Sequence, residues 1–176
     1  MTLTLVALFP PGSVEAEVGR LQQRIFGEHG LVSAVALPPL VPVAFLPGTG
    51  PPRGILPRLN AAVAAPYRIV MTGLSWDDGW LYLELDSGGA WTALRAGAGE
   101  NDAAGFFPVH EGFFLGCKEA SADRQKLILP PVPQGAFTSS RLAAVQIDAA
   151  AGEGAWWRRV SMEILEEIPL RGRRRA

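Results

Sequence analysis

The sequence predicts an α+β fold, with mostly antiparallel sheets and helices on their outer side. Strand-like segments come in runs broken by only a few helix-like ones, which favours strands paired with one another over regular β-α repeats. Gly 20 and Pro 15 in 176 residues imply many turns. The chain also reads as two roughly similar halves, each a strand, a helix and a strand with a proline-led approach, as an internal duplication would give. With 48% hydrophobic and 19% charged residues, residues 1–170 suit one globular domain with a sizeable core.

Leu3 to Phe9 read as a first strand, stopped by Pro10-Pro11-Gly12. Ser13 is the expected helix N-cap, with Glu15 and Glu17 in the first turn, where negative charge suits the helix dipole. Val14, Val18, Leu21 and Ile25 form one apolar stripe, and Gly27 or Gly30 ends this helix. A second strand is expected over about 32–37 and a third over about 40–46, with a loop from Pro47 to Pro52. A short helix over about 54–64 carries Leu56, Leu59 and Val63 and tolerates Pro57 in its first turn. Strands at 67–74 and 80–86 meet across Asp78-Gly79, a hairpin signal. From Trp80 to Leu85 the leucines alternate with Trp80, Tyr82 and Glu84, as in a strand with two unlike faces. A short helix holds Ala90 to Arg95, and residues 96–105 read as a mobile loop. Further strands are expected at 112–118, 126–129 and 141–148, with a polar turn over 119–125. In a last strand Val160, Met162 and Ile164 share a face. Residues 171–176 carry four arginines and read as a mobile basic tail that would fasten RNA phosphates or an acidic partner if ordered.

Several functions are disfavoured. A formal net charge of −1 gives no bulk attraction to nucleic acid or anionic membrane. One cysteine, Cys117, rules out an intramolecular disulfide, fits a cytoplasmic protein and reads as a small buried hydrophobe. The N-terminus lacks a basic segment, so no signal peptide is expected, and no apolar run approaches the ~20 residues of a membrane helix. His29 reads as a helix-end residue. No metal-ligand spacing, P-loop or dinucleotide fingerprint is present, and Asp77-Asp78 reads as a turn, so no metal or cofactor is expected. The aromatic residues, Trp80, Tyr82, Phe114 and Trp156 among them, offer a stacking surface for bases but are more simply core.

Two stretches bear on function. Pro38-Pro39-Leu40-Val41-Pro42-Val43-Ala44-Phe45-Leu46 resembles the first motif strand of the 2H phosphoesterase superfamily, which includes the 2′-5′ RNA ligase and cyclic phosphodiesterase families. Pro108 to Gly116 resembles the second. The resemblance extends to the opening strand with Phe9-Pro10-Pro11, the helix over 13–27 and the closing Trp157 to Leu170. It implies a bilobal pair of sheets around a concave groove, with pseudo-twofold halves. In that family two His-x-Thr/Ser motifs face each other there: one histidine is the general base, the other the general acid, and the hydroxyls bind phosphate. Residues i and i+2 of a strand share a face and therefore a groove.

The chain departs from the family at those positions. The first motif has Leu40 for histidine and Pro42 for the hydroxyl, and neither side chain carries a proton donor or acceptor. In the second, a proline-led frame gives His110-Glu111-Gly112, with Gly112 at the hydroxyl. A frame set on Leu115-Gly116 instead puts Gly112 at the histidine and Phe114 at the hydroxyl. The expected protein is therefore a catalytically degenerate binding or scaffold module. Leu40, Pro42, Gly112, Phe114 and Arg141 would line a groove for a nucleotide, RNA, a small ligand or a protein partner. Two alternatives stand beside it. One is a divergent phosphodiesterase acting on cyclic or 2′-5′-linked nucleotides through His110 and Glu111, with Arg141 for the phosphate. The other is an interaction protein whose groove is filled by its own side chains. The oligomeric state is open.

Overall fold

A computed structural model of the chain describes residues 2–46, 53–99, 109–117, 131–138, 140–149, 156–171 and 173–174. In chain order these form β1 (Thr2–Phe9), α1 (Gly12–His29), β2 (Val41–Leu46), α2 (Ile55–Ala62), β3 (Ala64–Ala65), β4 (Ile69–Asp77), β5 (Trp80–Asp86) and α3 (Ala90–Ala98). They continue with β6 (Gly112–Cys117), β7 (Gly135–Phe137), β8 (Ser140–Ala149), β9 (Val160–Leu170) and β10 (Arg173–Arg174). Single 3-10 turns cover Val32–Val35 and Trp156–Arg158.

The two main sheets repeat one plan. The first has the order β2-β1-β8-β9 and the second β6-β5-β4-β7, and each pairing in them is antiparallel. In each sheet an inner strand leads through a helix to its own neighbour: β1-α1-β2 in one, β5-α3-β6 in the other. The expected duplication is thus present in the topology. The first lobe takes both ends of the chain and the second takes its middle.

Strand alternation divides the interior in two. Val6 and Leu8 of β1, with Leu142 and Ala144 of β8, face the helices and join Val14, Val18, Leu21 and Ile25 of α1. Leu81 and Leu83 of β5 and Phe113 and Leu115 of β6 enter the same helix-side core, which therefore runs through both lobes. The opposite faces build a second core from Leu5, Ala7 and Phe9, Ala143, Val145 and Ile147, with Leu40, Phe45, Phe114, Cys117 and Trp156. Tyr67 fastens the lobes at one end, donating to the Leu170 carbonyl at 2.8 Å and sharing a 2.9 Å hydrogen bond with Ser140.

Several local expectations change. Residues 32–35 form a 3-10 turn and not a strand. Ser33, fully buried there, accepts from the Cys117 N–H at 2.9 Å, which holds the turn against β6. The cap of α1 is Pro11, whose carbonyl accepts from Val14 and Glu15, so Ser13 lies inside the first turn. Gly30 ends α1, its N–H on the Phe26 carbonyl. The helix at Ala90 runs on to Ala98, into the stretch expected to be a loop. Asp78 and Gly79 do form the β4–β5 turn, both at positive φ. Two described points tie down the expected mobile tail: Arg171 N–H donates to Asn60 at 2.8 Å, and residues 173–174 pair in parallel with β3. The turn over 119–125, the strand over 126–129 and the loop over 100–105 lie outside the described residues. Among the described residues no helix is long and apolar enough to cross a membrane.

Candidate functional site

The motif-like strands are β2, with Leu40 just before it, and β6. Both are buried along their whole length. Each is the neighbour of its lobe's inner strand, and bulges interrupt both pairings, at Val43 and at Leu115. The bulge in β2 lets Val41, Val43 and Ala44 all face the helix-side core while Leu40 and Phe45 face the other. In β6 Phe113 and Leu115 face the helices, and Phe114 faces Leu40's core. Gly112 and Phe114, the two positions named by the frame set on Leu115-Gly116, stand opposite Glu84 and Tyr82 of β5. His110 lies before the strand begins.

Leu40 and Phe114 meet in one packed cluster, 1% and 2% exposed, and Pro42 and Gly112 are buried as well. Aromatic rings close over this point. Phe114 lies 5.6 Å from Trp80 and 5.9 Å from Trp156, centroid to centroid, and Trp80 stacks on Trp156 at 6.2 Å. Gly112 is closed more tightly still. A Cβ there would stand 2.9 Å from the Leu83 carbonyl oxygen, 3.1 Å from Cδ2 of His110 and 3.3 Å from Cβ of Tyr82. Any side chain at Gly112 would therefore have to displace the β5 backbone.

Buried hydrogen bonds hold the two strands in place. Gln22 of α1, 3% exposed, donates to the Leu37 carbonyl at 3.2 Å and the Phe114 carbonyl at 3.1 Å, joining the approach to β2 with β6. Trp91 of α3 donates its indole N–H to the Pro42 carbonyl at 3.1 Å. Gln22→Leu keeps the volume but removes a donor from two buried carbonyls, so thermal unfolding should show a loss of about 1–3 kcal/mol. A neutral result would mean that water or another donor serves them.

His110 and Glu111 are adjacent in sequence but do not form one pair. His110 turns to β5, its Nε2 2.9 Å from both carboxylate oxygens of Glu84. Its ring stacks on Tyr82, centroids 4.0 Å apart and planes 19° apart. Glu84 also accepts from the Ser75 hydroxyl. Glu111 turns to α3, accepting from the Ser87 N–H at 3.0 Å and from the Ser87 hydroxyl, which itself accepts from the Trp91 N–H. That is a helix-start support, remote in role from His110. Arg141 pairs in register with Phe9, on the groove-side face, but its guanidinium is engaged. It donates to Glu167 at 2.8 Å, lies 3.7 Å from Glu15 and covers the Phe9 ring.

Glu84, Tyr82 and Ser75 were missed as partners of His110. The signal was present in the alternation of β5, which puts Trp80, Tyr82 and Glu84 on the face opposite the leucines. What was absent was the register: Ser75 stands opposite Tyr82. Burial raises the Tyr82 hydroxyl above its usual pKa, and Asp77, Glu84, Cys117 and Asp78 push the same way, so it stays protonated. Among the described residues no group of three or more His, Cys, Asp and Glu side chains converges to hold a metal.

No family description matches the chain, and no curated protein matches it in sequence. Solved structures do match. TT0787 of Thermus thermophilus superposes with a TM-score of 0.61 at 20% identity, covering 97% of this chain and 98% of its own. LigT of E. coli in apo form gives 0.58 at 14% identity, covering 97% and 98%. LigT complexed with 3′-AMP gives 0.59 at 16%, covering 96% and 98%. This is the LigT fold. The match spans nearly the whole of each chain, so both lobes belong to it.

Proposed function

We propose that this protein is a catalytically degenerate 2H phosphoesterase-like module that binds a ligand and does not cleave one. The observation that supports this most is Gly112. A missing histidine alone is one substitution away from return, but here the backbone of β5, the ring of His110 and the Cβ of Tyr82 crowd the place where its side chain would begin. Leu40, Pro42 and Phe114 complete the replacement with buried apolar groups. Each positioned acid or base is typically worth ~10²–10⁴-fold in rate, so losing two removes the bulk of the family's acceleration.

LigT has been solved with 3′-AMP, with NADP+ and with ATP, which makes nucleotides and RNA oligomers the first ligands to test. The deciding assay supplies 2′,3′-cyclic nucleotides and 2′-5′-linked dinucleotides. No turnover above buffer is expected. Turnover that His110→Ala abolishes would overturn the proposal in favour of a second reading, a divergent phosphodiesterase built on His110. One observation favours that reading: the imidazole lies against the place where a side chain at position 112 would begin. Its geometry supplies Glu84, and not Glu111, as the partner of that histidine. A thermal-shift screen without any stabilising ligand would support the filled-groove interaction protein.

A further inference from the structure

The second motif strand lacks a side chain at Gly112, and the ring of His110 stands in that gap, with Cδ2 3.1 Å from where the missing Cβ would be. Three neighbours fix the ring. Tyr82 covers one face at 4.0 Å, Glu84 holds Nε2 with both oxygens, and Ser75 holds Glu84 in turn. An ionised carboxylate only accepts, so Nε2 carries a hydrogen, and in the neutral ring Nδ1 is the acceptor. Nδ1 has no partner among the described residues, and about a quarter of the side chain, 24%, is open to solvent. In that neutral form the pinned imidazole offers Nδ1 to a donor.

The charge around it differs from that of a phosphate site. Glu84 lies beside the ring, Asp77 stands opposite Trp80 on the same face, and Asp78 is in the adjoining turn. Arg141, the cation expected to meet a phosphate, is taken by Glu167 and Glu15. An anion brought to His110 meets carboxylates and no free guanidinium among the residues just named. An uncharged ligand meets no such barrier, and a planar one can lie against the ring system that His110 and Tyr82 begin.

We infer that His110, oriented by Glu84, is the polar ligand contact of the module, and that its Nδ1 accepts an N–H or O–H hydrogen bond from an uncharged planar ligand of the nucleoside class. This rests on the binding-module reading and reverses the charge of the ligand. His110 is the binding residue, and Glu84 is the positioning residue.

The test titrates full-length protein with adenosine and cytidine and with their 3′-monophosphates. Binding is followed by calorimetry and by long-range ¹H–¹⁵N spectra of the imidazole. Saturable nucleoside binding is expected, roughly tenfold tighter than for the matching monophosphate, with the Nδ1 resonance moving on binding. His110→Ala should weaken nucleoside binding about tenfold, as loss of one good hydrogen bond does. Glu84→Gln keeps the ring while altering the partner of Nε2. It should shift the tautomer balance and weaken binding several-fold, a change a merely structural glutamate would not make. The inference is overturned if the monophosphate binds more tightly, if nucleoside affinity survives His110→Ala, or if neither nucleoside binds. Those results leave the binding-module reading standing, whereas His110-dependent turnover of a cyclic nucleotide would remove that reading itself.

Discussion

Gly112→His should unfold at a lower urea concentration than the wild type and gain no phosphodiesterase activity. Under the proposed reading the substitution supplies the histidine that the motif lacks, so a protein that had merely lost that residue would regain part of its activity. Here the first atom of the new side chain meets the Leu83 carbonyl at 2.9 Å. That oxygen belongs to the β5–β6 pairing, where Leu83 is opposite Phe113, and it cannot withdraw without disturbing the ladder. The other two neighbours are the His110 ring and the Tyr82 Cβ, parts of a stacked pair whose histidine is hydrogen-bonded to Glu84. Forcing extra atoms into such a site costs about 1–3 kcal/mol before any bulk beyond Cβ is added. With a urea slope of about 1–3 kcal/mol/M, the midpoint should fall by on the order of 1 M. Gly112→Ala should show the same sign with a smaller shift. A Gly112→His protein as stable as wild type would mean that the strand still has room for an imidazole, and the proposal of a degenerate site would rest on Leu40 and Pro42 alone.

Gly116 has a similar constraint from a different cause. Its φ of 144° disfavours L side chains, and a Cβ there would collide with the Leu31 side chain, which the turn before β2 packs against β6. The two glycines explain why β6 reads as a motif strand in sequence and behaves as a core strand in the fold. One prevents a side chain from reaching toward the groove, and the other lets the 3-10 turn approach closely.

Much of the architecture is legible from the chain. The proline-led approach to Leu40, the stripe Val14-Val18-Leu21-Ile25 and the Asp78-Gly79 turn are local signals, and each reappears in the structure. Residues 32–35 misled because a short apolar run has no period long enough to separate a strand from a 3-10 turn. Their conformation depends on Ser33 bonding to Cys117, 84 residues away. The site was less legible for the same reason. Adjacent letters suggested His110 with Glu111, but neighbours on an extended segment point to opposite sides. One therefore turned to Glu84 and the other to Ser87. The sequence could say that Leu40 and Pro42 carry no proton donor or acceptor; whether the space around them is open or filled depends on Trp80 at the start of β5 and on Trp156 in the 3-10 turn before β9.

Phe114→Ala should be the most destabilising change in the groove. The side chain is 2% exposed, shares a core with Leu40 and Cys117, and forms ring contacts with Trp80 and Trp156 at 5.6 and 5.9 Å. Truncating a buried phenylalanine costs about 3–5 kcal/mol, the lost transfer energy plus the cavity left behind. At roughly 2–4 °C per kcal/mol for a chain of this size, the melting temperature should drop by about 6–20 °C. Trp80 and Trp156 flank the vacated volume, so their fluorescence should move to longer wavelength as water reaches them. Phe26→Ala is the comparison. Phe26 is 40% exposed on α1, and its loss should stay within about 0.5 kcal/mol. The contrast tests what this groove has become. In an open ligand groove the residue at the hydroxyl position borders solvent, and shortening it costs little. In this chain Phe114 is a keystone of the second core, joining rings from both lobes. A near-neutral Phe114→Ala with unchanged tryptophan emission would mean that the aromatic closure is not packed, and that the central groove is available to ligands along its full length and not only beside His110.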